Sequence, residues 1–317
     1  MGNMNIQKRL LNKLPTRFTL PILDLYLLHF LEKNNLSIIK SQLYFDIIDS
    51  QSRCIRISRK HNIYIRDIVS QFEYYWKAVN PVQLGKMRLV DYSVPRFHEV
   101  MGFDLHPIYF PSLAEPLITT EQYLDFADLR NGSVVLDLGA YNGFTSIVFD
   151  QNVGNYGHVI AVDADEVNIQ AIEKNLSLYS KVTGRRIEVL EGAVWDNDDG
   201  IMFSSEGSPG SSASGIIGDY RGEQRKVRSF TLSTIARKYG LPQVDFIKCD
   251  IEGAEINVFN DAEFFERYRP KIIIESHMVQ NQSTSMACMD ILFNYGYKCK
   301  EIPQIGVSLP LIECEPV

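Results

Sequence analysis

The feature that most constrains the fold is a series of short apolar runs that alternate with helical segments from Gln122 onward. Continuous apolar runs of strand length are typical of strands that are buried on both faces. Strands that alternate with helices indicate a parallel sheet with helices on both sides, so we predict an α/β, Rossmann-like core. The predicted strands are Val134–Leu138, Val159–Val162, Ile187–Leu190, Val244–Lys248 and Lys271–Ile274, and the predicted helices include Thr145–Asp150 and Glu166–Tyr179.

The N-terminal third has a different pattern. Apolar residues recur at near-helical spacing over residues 1 to about 50, which predicts helices there. A short strand is predicted at Cys54–Ser58 and a helix at Ile65–Val79. We therefore predict a mainly helical extension at 1–110 and an α/β domain at 111–317. The extension would cap the sheet, contact a substrate or mediate oligomers, and homo-oligomerisation is left open.

Composition narrows the classes of partner. The formal net charge is −7, which argues against general nucleic-acid binding because phosphate recognition needs basic patches. The five cysteines include no C-x-x-C pair, so we expect a reduced, intracellular chain without a disulfide framework or a zinc site. The most apolar stretch, residues 20–31, is too short to span a bilayer. We expect a cytoplasmic protein with no integral membrane segment.

A glycine turn follows the first predicted strand of the core and indicates a cofactor site. Gly139 allows a tight turn and close backbone approach, and Gly143 lets the next helix pack closely. In dinucleotide enzymes, the helix start that follows such a turn faces a pyrophosphate. Asp137 would repel phosphates there and suits the amino group of S-adenosylmethionine. We therefore predict that Asp137, Gly139, Ala140, Tyr141 and Gly143 bind S-adenosylmethionine rather than NAD.

Two further segments complete the predicted cofactor site. Asp163 ends the second strand, 20 residues after Gly143, where an acid accepts hydrogen bonds from ribose hydroxyls. The alternative is that Asp163 is a loop carboxylate or caps the following helix. Ala164 adjoins it, and Gly192 and Ala193 at the end of the third strand would lie beside the adenine.

A second cluster of polar residues follows the fourth and fifth strands. Asp250 and Glu252 come directly after the fourth strand, and His277 comes after the fifth. In open α/β sheets the carboxyl edge of the strands carries the ligand crevice. A structural role is the alternative for Glu252 and Glu255, because acids interact favourably with a helix start. Asp250, Glu252 and His277 are the candidate catalytic residues, and Asp250 is also a candidate cofactor ligand.

These motifs resemble those of FkbM-type methyltransferases over roughly residues 115–315. The resemblance comprises the V-x-D-x-G-A-x-x-G turn at 135–143, the K-x-D-x-E-G-x-E block at 248–255 and the P-x-I-x-x-E-x-H strand at 270–277. The chain departs from the family pattern in two places. Ser233 replaces the Asp of a T-L-D segment, and Asp163-Ala164 replaces the usual Glu-Pro.

The resemblance implies a class I methyltransferase core with a seven-stranded sheet and S-adenosylmethionine as cofactor. The implied reaction is O-methylation of a sugar, glycan or natural-product hydroxyl, with Asp250, Glu252 or His277 as the base. His277 has the most suitable unperturbed pKa and Asp250 the better placement. A divalent metal ion at this cluster is a less favoured alternative. An N-methyltransferase acting on an amine or protein and a non-catalytic scaffold are the other hypotheses.

Overall fold

The computed structural model describes residues 31–205, 212–213, 223–280 and 282–317. Of these, 31–76 and 81–94 form one compact unit, and 77–80 and 95–317 form the other. Among the described helices, none combines the length and apolar character needed to cross a membrane. The roles expected for the extension at 1–110 stay predictions.

The first unit is built on a five-stranded sheet with the order β1-β2-β3-β5-β4. Neighbouring strands are antiparallel except for the parallel pair β3 and β5. The strands are β1 (Leu36–Lys40), β2 (Tyr44–Asp49), β3 (Arg53–Ser58), β4 (Val82–Leu84) and β5 (Met87–Tyr92), and the helices after β3 are a 3-10 helix (Arg59–Tyr64), α1 (Ile65–Ser70) and α2 (Phe72–Trp76).

The helix predicted up to about residue 50 is wrong for residues 36–49, which form β1 and β2. The reason is that β1 pairs with β2 and β2 pairs with β3, which the local apolar spacing does not reveal. In that register Ile47 lies opposite Ile55, and Asp46 lies opposite Arg56 and pairs with its guanidinium at 2.7 Å. The part of this prediction at 1–30 lies outside the described residues. The predicted strand at 54–58 is confirmed.

The second unit contains the predicted α/β core. Its strands are β6 (Arg96–His98), β7 (Ile108–Phe110), β8 (Val134–Leu138), β9 (His158–Asp163), β10 (Glu188–Glu191), β11 (Ala193–Val194), β12 (Ile201–Ser205), β13 (Ser212–Ala213), β14 (Glu223–Val227), β15 (Ser229–Phe230), β16 (Phe246–Cys249), β17 (Lys271–Glu275), β18 (Met278–Val279), β19 (Gln282–Ser283), β20 (Tyr297–Ile302) and β21 (Leu311–Pro316). Its helices are α3 (Leu117–Ala127), α4 (Phe144–Val153), α5 (Glu166–Thr183), α6 (Leu232–Lys238), α7 (Glu255–Val258), α8 (Ala262–Arg267) and α9 (Ser285–Asn294).

Seven of these strands form one sheet with the order β10-β9-β8-β16-β17-β21-β20. All neighbours are parallel except those that involve β21, which is antiparallel to both β17 and β20. Consecutive side chains point to opposite faces: Leu136 packs with α6, α8 and α9, whereas Val135 packs with α3 and α4. The predicted mostly parallel seven-stranded sheet with helices on both faces is therefore confirmed.

The cysteines depart from the sequence expectation. Cys299 on β20 lies directly opposite Cys314 on β21, and the two form a disulfide. Their spacing of 15 residues resembles no metal or redox motif, so strand register alone brings them together. Cys54, Cys249 and Cys288 are buried free thiols. The expectation of a fully reduced chain is corrected for the pair on β20 and β21.

Candidate active site

A cavity opens at the carboxyl edge of the seven-stranded sheet. The chain leaves β8 toward β9 on one side, while β16 lies on the other side of β8, so the strand order reverses beside β8. Open α/β sheets bind ligands at such a switch point. Of the residues predicted from the sequence, the cavity is lined by Gly139, Ala140, Tyr141, Asp163, Ala164, Gly192, Ala193, Asp250 and Glu252.

Asp137 does not line this cavity. Its carboxylate is fully buried, and its Oδ2 accepts hydrogen bonds from the hydroxyls of Thr145 and Ser146 at 2.6 and 2.5 Å. Its Oδ1 lies 3.6 Å from the Lys248 ammonium. The sequence predicts direct contact between Asp137 and a cationic ligand. The structure places Oδ2 on two protein hydroxyls and leaves the buried Oδ1 without a hydrogen-bond partner among the described residues.

Asp163 faces the cavity, as predicted, and is itself firmly positioned. Its carboxylate accepts hydrogen bonds from the backbone N–H groups of Tyr141 and Asp165 at 2.8 and 2.9 Å. Burial raises the pKa of Asp163 to about 7, although these N–H groups act to lower it. The alternative role as a helix cap belongs to Asp165, whose side chain accepts from Val167. Nearby on the cavity wall, Asn168 has a buried Oδ1 without a hydrogen-bond partner in the described structure.

The loop after β8 depends on glycine and on close contact with the loop after β16. Gly139 has φ +77°, and a Cβ built there would overlap the carbonyl group of Asp250. Gly143 is the N-cap of α4 with φ +79°, and a Cβ there would meet Ile172 of α5 at 3.4 Å, an ordinary contact distance. The left-handed backbone, rather than close helix packing, therefore favours glycine at this position, and Gly143 does not line the cavity. Tyr141 also has a positive φ, of 51°, which is uncommon for a non-glycine residue.

Lys248 connects the loop after β8 with the loop after β16. Its buried ammonium group donates to the Gly139 carbonyl at 2.7 Å and lies 3.4 Å from Asp250 Oδ2. Burial alone lowers the pKa of Lys248, but the negative charges of Asp250 and Asp137 outweigh it and hold that pKa above its usual value. The sequence motif includes Lys248 without indicating that it neutralises both aspartates.

His277 lies beside the cavity rather than in its lining, and carboxylates surround it. Its Nδ1 lies 2.8 Å from Glu255 Oε1, and its Nε2 lies 3.5 Å from Asp250 and 3.7 Å from Glu252. Burial lowers the pKa of His277, but Glu255 and Glu252 outweigh it, so that pKa stands well above its usual value. The argument that His277 has an ordinary pKa suited to a base therefore does not hold. Burial raises the pKa of Glu252 to about 8.

Glu115 and Glu275 are two further acidic side chains near the site that the sequence did not assign to it. Glu115 lines the cavity from the segment before α3, and burial followed by the charge of Glu275 raises its pKa. Burial likewise raises the pKa of Glu275, and Tyr123 donates a hydrogen bond to it at 3.1 Å. Glu275 belongs to a recognisable motif. Glu115 precedes a proline in an irregular stretch, and no sequence pattern there points to a site.

Side chains hold the segment that carries Glu115 against the loop after β8. Asn175 of α5 pairs with the backbone N–H and carbonyl of Tyr109 at 2.7 and 2.9 Å. The Tyr141 hydroxyl contacts Ser112 N, Ser112 Oγ and the Leu113 carbonyl at 3.2, 2.8 and 2.9 Å. These contacts hold the 109–115 segment against the loop that begins at Gly139.

Comparison with known proteins identifies the family to which this chain is similar. The family described as methyltransferase FkbM domain matches residues 137–299, just over half of the chain. That range includes the glycine turn, Asp163, the block after β16 and His277. No curated protein sequence matches the chain.

Solved structures with a similar core include three methyltransferases. The methyltransferase FkbM from Methylobacillus flagellatus KT shares 17% identity over 62% of this chain and 50% of its own length, with a TM-score of 0.43. The precorrin-6y C5,15-methyltransferase from Geobacter metallireducens GS-15 shares 15% identity over 63% of this chain and 87% of its own length, with a TM-score of 0.39. A SAM dependent methyltransferase from Aquifex aeolicus shares 16% identity over 62% of this chain and 88% of its own length, with a TM-score of 0.37. The chain thus spans half the length of the first of these.

Proposed function

Because this chain belongs to the FkbM methyltransferase domain family, we propose that it transfers the methyl group of S-adenosylmethionine to a hydroxyl of a sugar, glycan or related natural product. The observation that carries the choice of acceptor site is that Asp250 and Glu252 line the same cavity as the cofactor residues. The acidic composition favours such an acceptor over a nucleic acid. We also propose that the enzyme acts in the cytoplasm.

The cavity walls fit S-adenosylmethionine. Asp163 presents a carboxylate to accept ribose hydroxyls, and the buried Oδ1 of Asn168 offers a further acceptor on the same wall. The Gly139–Tyr141 turn provides the close backbone approach that the ligand needs, and Gly192 and Ala193 line the part proposed for the adenine. When bound, this cofactor supplies a methyl group made electrophilic by a positively charged sulfur. The carboxylates around the cavity favour that charge.

The acceptor hydroxyl must be oriented and must lose its proton during transfer. Orientation of two reactants in a closed site supplies much of the rate of such a displacement. We propose that Asp250 and Glu252 orient the hydroxyl and that the cluster they form with His277 promotes removal of its proton. Positioned proton transfer typically contributes about 10²–10⁴-fold. The 109–115 segment, which carries Glu115, would exclude water from one side.

Calorimetric titration tests the cofactor, and product analysis tests the acceptor. S-adenosylmethionine should bind with saturation and NAD should not, and binding of NAD alone would refute the proposal. A panel of glycosides and amines should give products methylated on oxygen, as identified by NMR. Methylation confined to amines would instead support the N-methyltransferase hypothesis. Cofactor binding without transfer to any acceptor would support a scaffold.

Two matched substitutions test the assigned carboxylate. Asp250→Asn should lower turnover by about 10²–10⁴-fold while cofactor affinity falls much less. Asp199→Asn removes an exposed carboxylate outside the cavity and should change neither quantity. Wild-type turnover in Asp250→Asn would remove Asp250 from the acceptor site.

A further inference from the structure

We propose that Asp250, Glu252 and His277 bind a divalent metal ion of the Mn²⁺ or Mg²⁺ class beside the cofactor cavity. The three residues come from two different loops, after β16 and after β17, and together they offer two carboxylate oxygens and one imidazole nitrogen. Oxygen-rich ligand sets suit Mg²⁺ and Mn²⁺, and an imidazole moves the preference toward Mn²⁺.

The spacing of the ligand atoms fits one ion. The three atoms all lie within 4.8 Å of one another, and His277 Nε2 lies 3.5 Å from Asp250 Oδ1 and 3.7 Å from Glu252 Oε1. Metal–ligand bonds of about 2.1 Å in an octahedron place adjacent ligand atoms about 3 Å apart and opposite ones about 4.2 Å apart. The two separations from His277 Nε2 fall between these values, so a small side-chain movement brings the ligand atoms into the range of one octahedral ion.

A second observation, separate from the proximity of the acids, concerns the orientation of the histidine. The Nδ1 of His277 donates to Glu255 Oε1 at 2.8 Å, and this carboxylate is fully buried. The same oxygen accepts from the Gly253 N–H at 3.0 Å, which fixes its position. Metal-binding histidines characteristically donate their other ring N–H to such a carboxylate. With Nδ1 as the donor, Nε2 is the ring nitrogen that faces Asp250 and Glu252.

The two oxygens of Asp250 are shared between different positive charges. Its Oδ2 lies 3.4 Å from the Lys248 ammonium, and Oδ1 is the oxygen directed to His277. Lys248 therefore neutralises one side of the carboxylate and leaves the other side for the ion. Asp250 and Glu252 also line the cavity, so an ion held by them would be within reach of an acceptor bound there.

The role of the ion rests on the proposed function, whereas its binding does not. As a ligand of the ion, the acceptor hydroxyl would have a lowered pKa. Its O–H bond breaks, and the proton passes to the carboxylate of Glu115 on the cavity wall. The oxygen then forms a bond to the methyl carbon as the bond from that carbon to sulfur breaks. The electron pair of that bond stays on sulfur, which leaves as a neutral thioether.

The test uses the full chain, stripped of metal with a chelator and titrated with Mn²⁺ alone. Electron paramagnetic resonance should show one saturable site, and electron spin-echo modulation of the wild-type protein should show coupling to a directly bound imidazole ¹⁴N. His277→Gln and Glu252→Gln should each weaken Mn²⁺ binding by at least about tenfold, and Glu255→Gln by about 10–100-fold through loss of the histidine's partner. The absence of saturable binding or of nitrogen coupling would overturn the proposal.

A matched control uses a histidine of similar pairing elsewhere. The Nε2 of His158 lies 3.3 Å from Glu188 on neighbouring strands of the sheet. His158→Gln should leave Mn²⁺ affinity unchanged, and an equal loss in both histidine variants would contradict the assigned site. Mn²⁺ binding without methyl transfer to hydroxyls would refute only the proposed function. Transfer at an unchanged rate after chelation, with no Mn²⁺ binding, would refute only the metal site.

Discussion

Gly139→Ala should destabilise the protein far more than the same substitution at a glycine with equal backbone geometry but open surroundings. Gly139 and Gly184 have φ of +77° and +75°, so an alanine meets the same left-handed backbone at each. A Cβ at Gly184 has no neighbour within 4 Å, whereas one at Gly139 lies 2.8 Å from the carbonyl carbon of Asp250. The comparison therefore isolates the contact between the two loops.

The expected loss of stability follows from the left-handed backbone of the alanine and from the contact of its Cβ with Asp250. A left-handed alanine costs about 1–2 kcal/mol, and the loss of unfolded-chain freedom returns about 0.4–1 kcal/mol. Gly184→Ala should therefore cost about 0.5–1 kcal/mol. At Gly139 the new Cβ overlaps the carbonyl oxygen of Asp250, and the carbonyl carbon alone falls about 0.6 Å short of ordinary contact at 3.4 Å, so the loop after β16 must shift in a close-packed region. That overpacking adds about 3 kcal/mol, the upper end of its usual range.

Differential scanning calorimetry provides the measurement. At about 2–4 °C per kcal/mol for a domain of this size, Gly184→Ala should lower Tm by about 2 °C and Gly139→Ala by about 10 °C. Calorimetric titration should also show weaker cofactor binding in Gly139→Ala and wild-type binding in Gly184→Ala. Equal shifts in Tm for the two variants would refute the conclusion that the loops after β8 and β16 are in obligatory backbone contact.

Two further predictions concern the cofactor wall. The pKa of Asp163 is raised to about 7 and ribose hydroxyls donate to the ionised form, so cofactor affinity should be about tenfold lower at pH 6 than at pH 8. Calorimetry across this range should show that slope in the wild type and none in Asp163→Asn, and a flat wild-type profile would contradict the ribose role. Tyr141→Phe removes a hydroxyl that contacts Ser112 and Leu113, and it should cost about 1–2 kcal/mol and lower Tm by about 2–8 °C. Tyr156→Phe, at a tyrosine that is 83% exposed, should leave Tm unchanged, and equal effects would contradict the fastening role of Tyr141.

The core of the fold could be predicted from the sequence because its signals are local. Apolar runs such as Val134–Leu138 are buried on both faces, and the glycine turn that follows needs a backbone that only glycine adopts easily. The strands at 36–49 could not be predicted, because the partner that makes Ile47 part of a sheet is β3, and short apolar runs fit helix and strand alike. The pairing of Cys299 with Cys314 depends in the same way on strand register.

The sequence positions of the site residues could be predicted, but the directions of their side chains could not. Aspartates follow or end three neighbouring strands of the sheet, yet Asp163 and Asp250 line the cavity while Asp137 turns into the interior. The hydrogen-bond donors around each aspartate determine the direction of its side chain, and the hydroxyls that donate to Asp137 come from α4. Glu115 reaches the cavity from a segment held by Asn175, 60 residues away in the chain, so no local pattern could reveal it.

Two features bear on how the site would select its ligand: the charges around the cavity and the backbone contact between Gly139 and Asp250. Asp137 does not line the cavity, so we propose that the field that favours a cationic cofactor comes from carboxylates on several segments. Lys248 is the buried cation that ties the Gly139 carbonyl to Asp250. Because the same backbone contact joins the cofactor loop to the acceptor cluster, a shift of either loop displaces the other. We therefore expect binding of the cofactor and positioning of the acceptor to be coupled through the backbone, so that a methyl-sized change at Gly139 affects both.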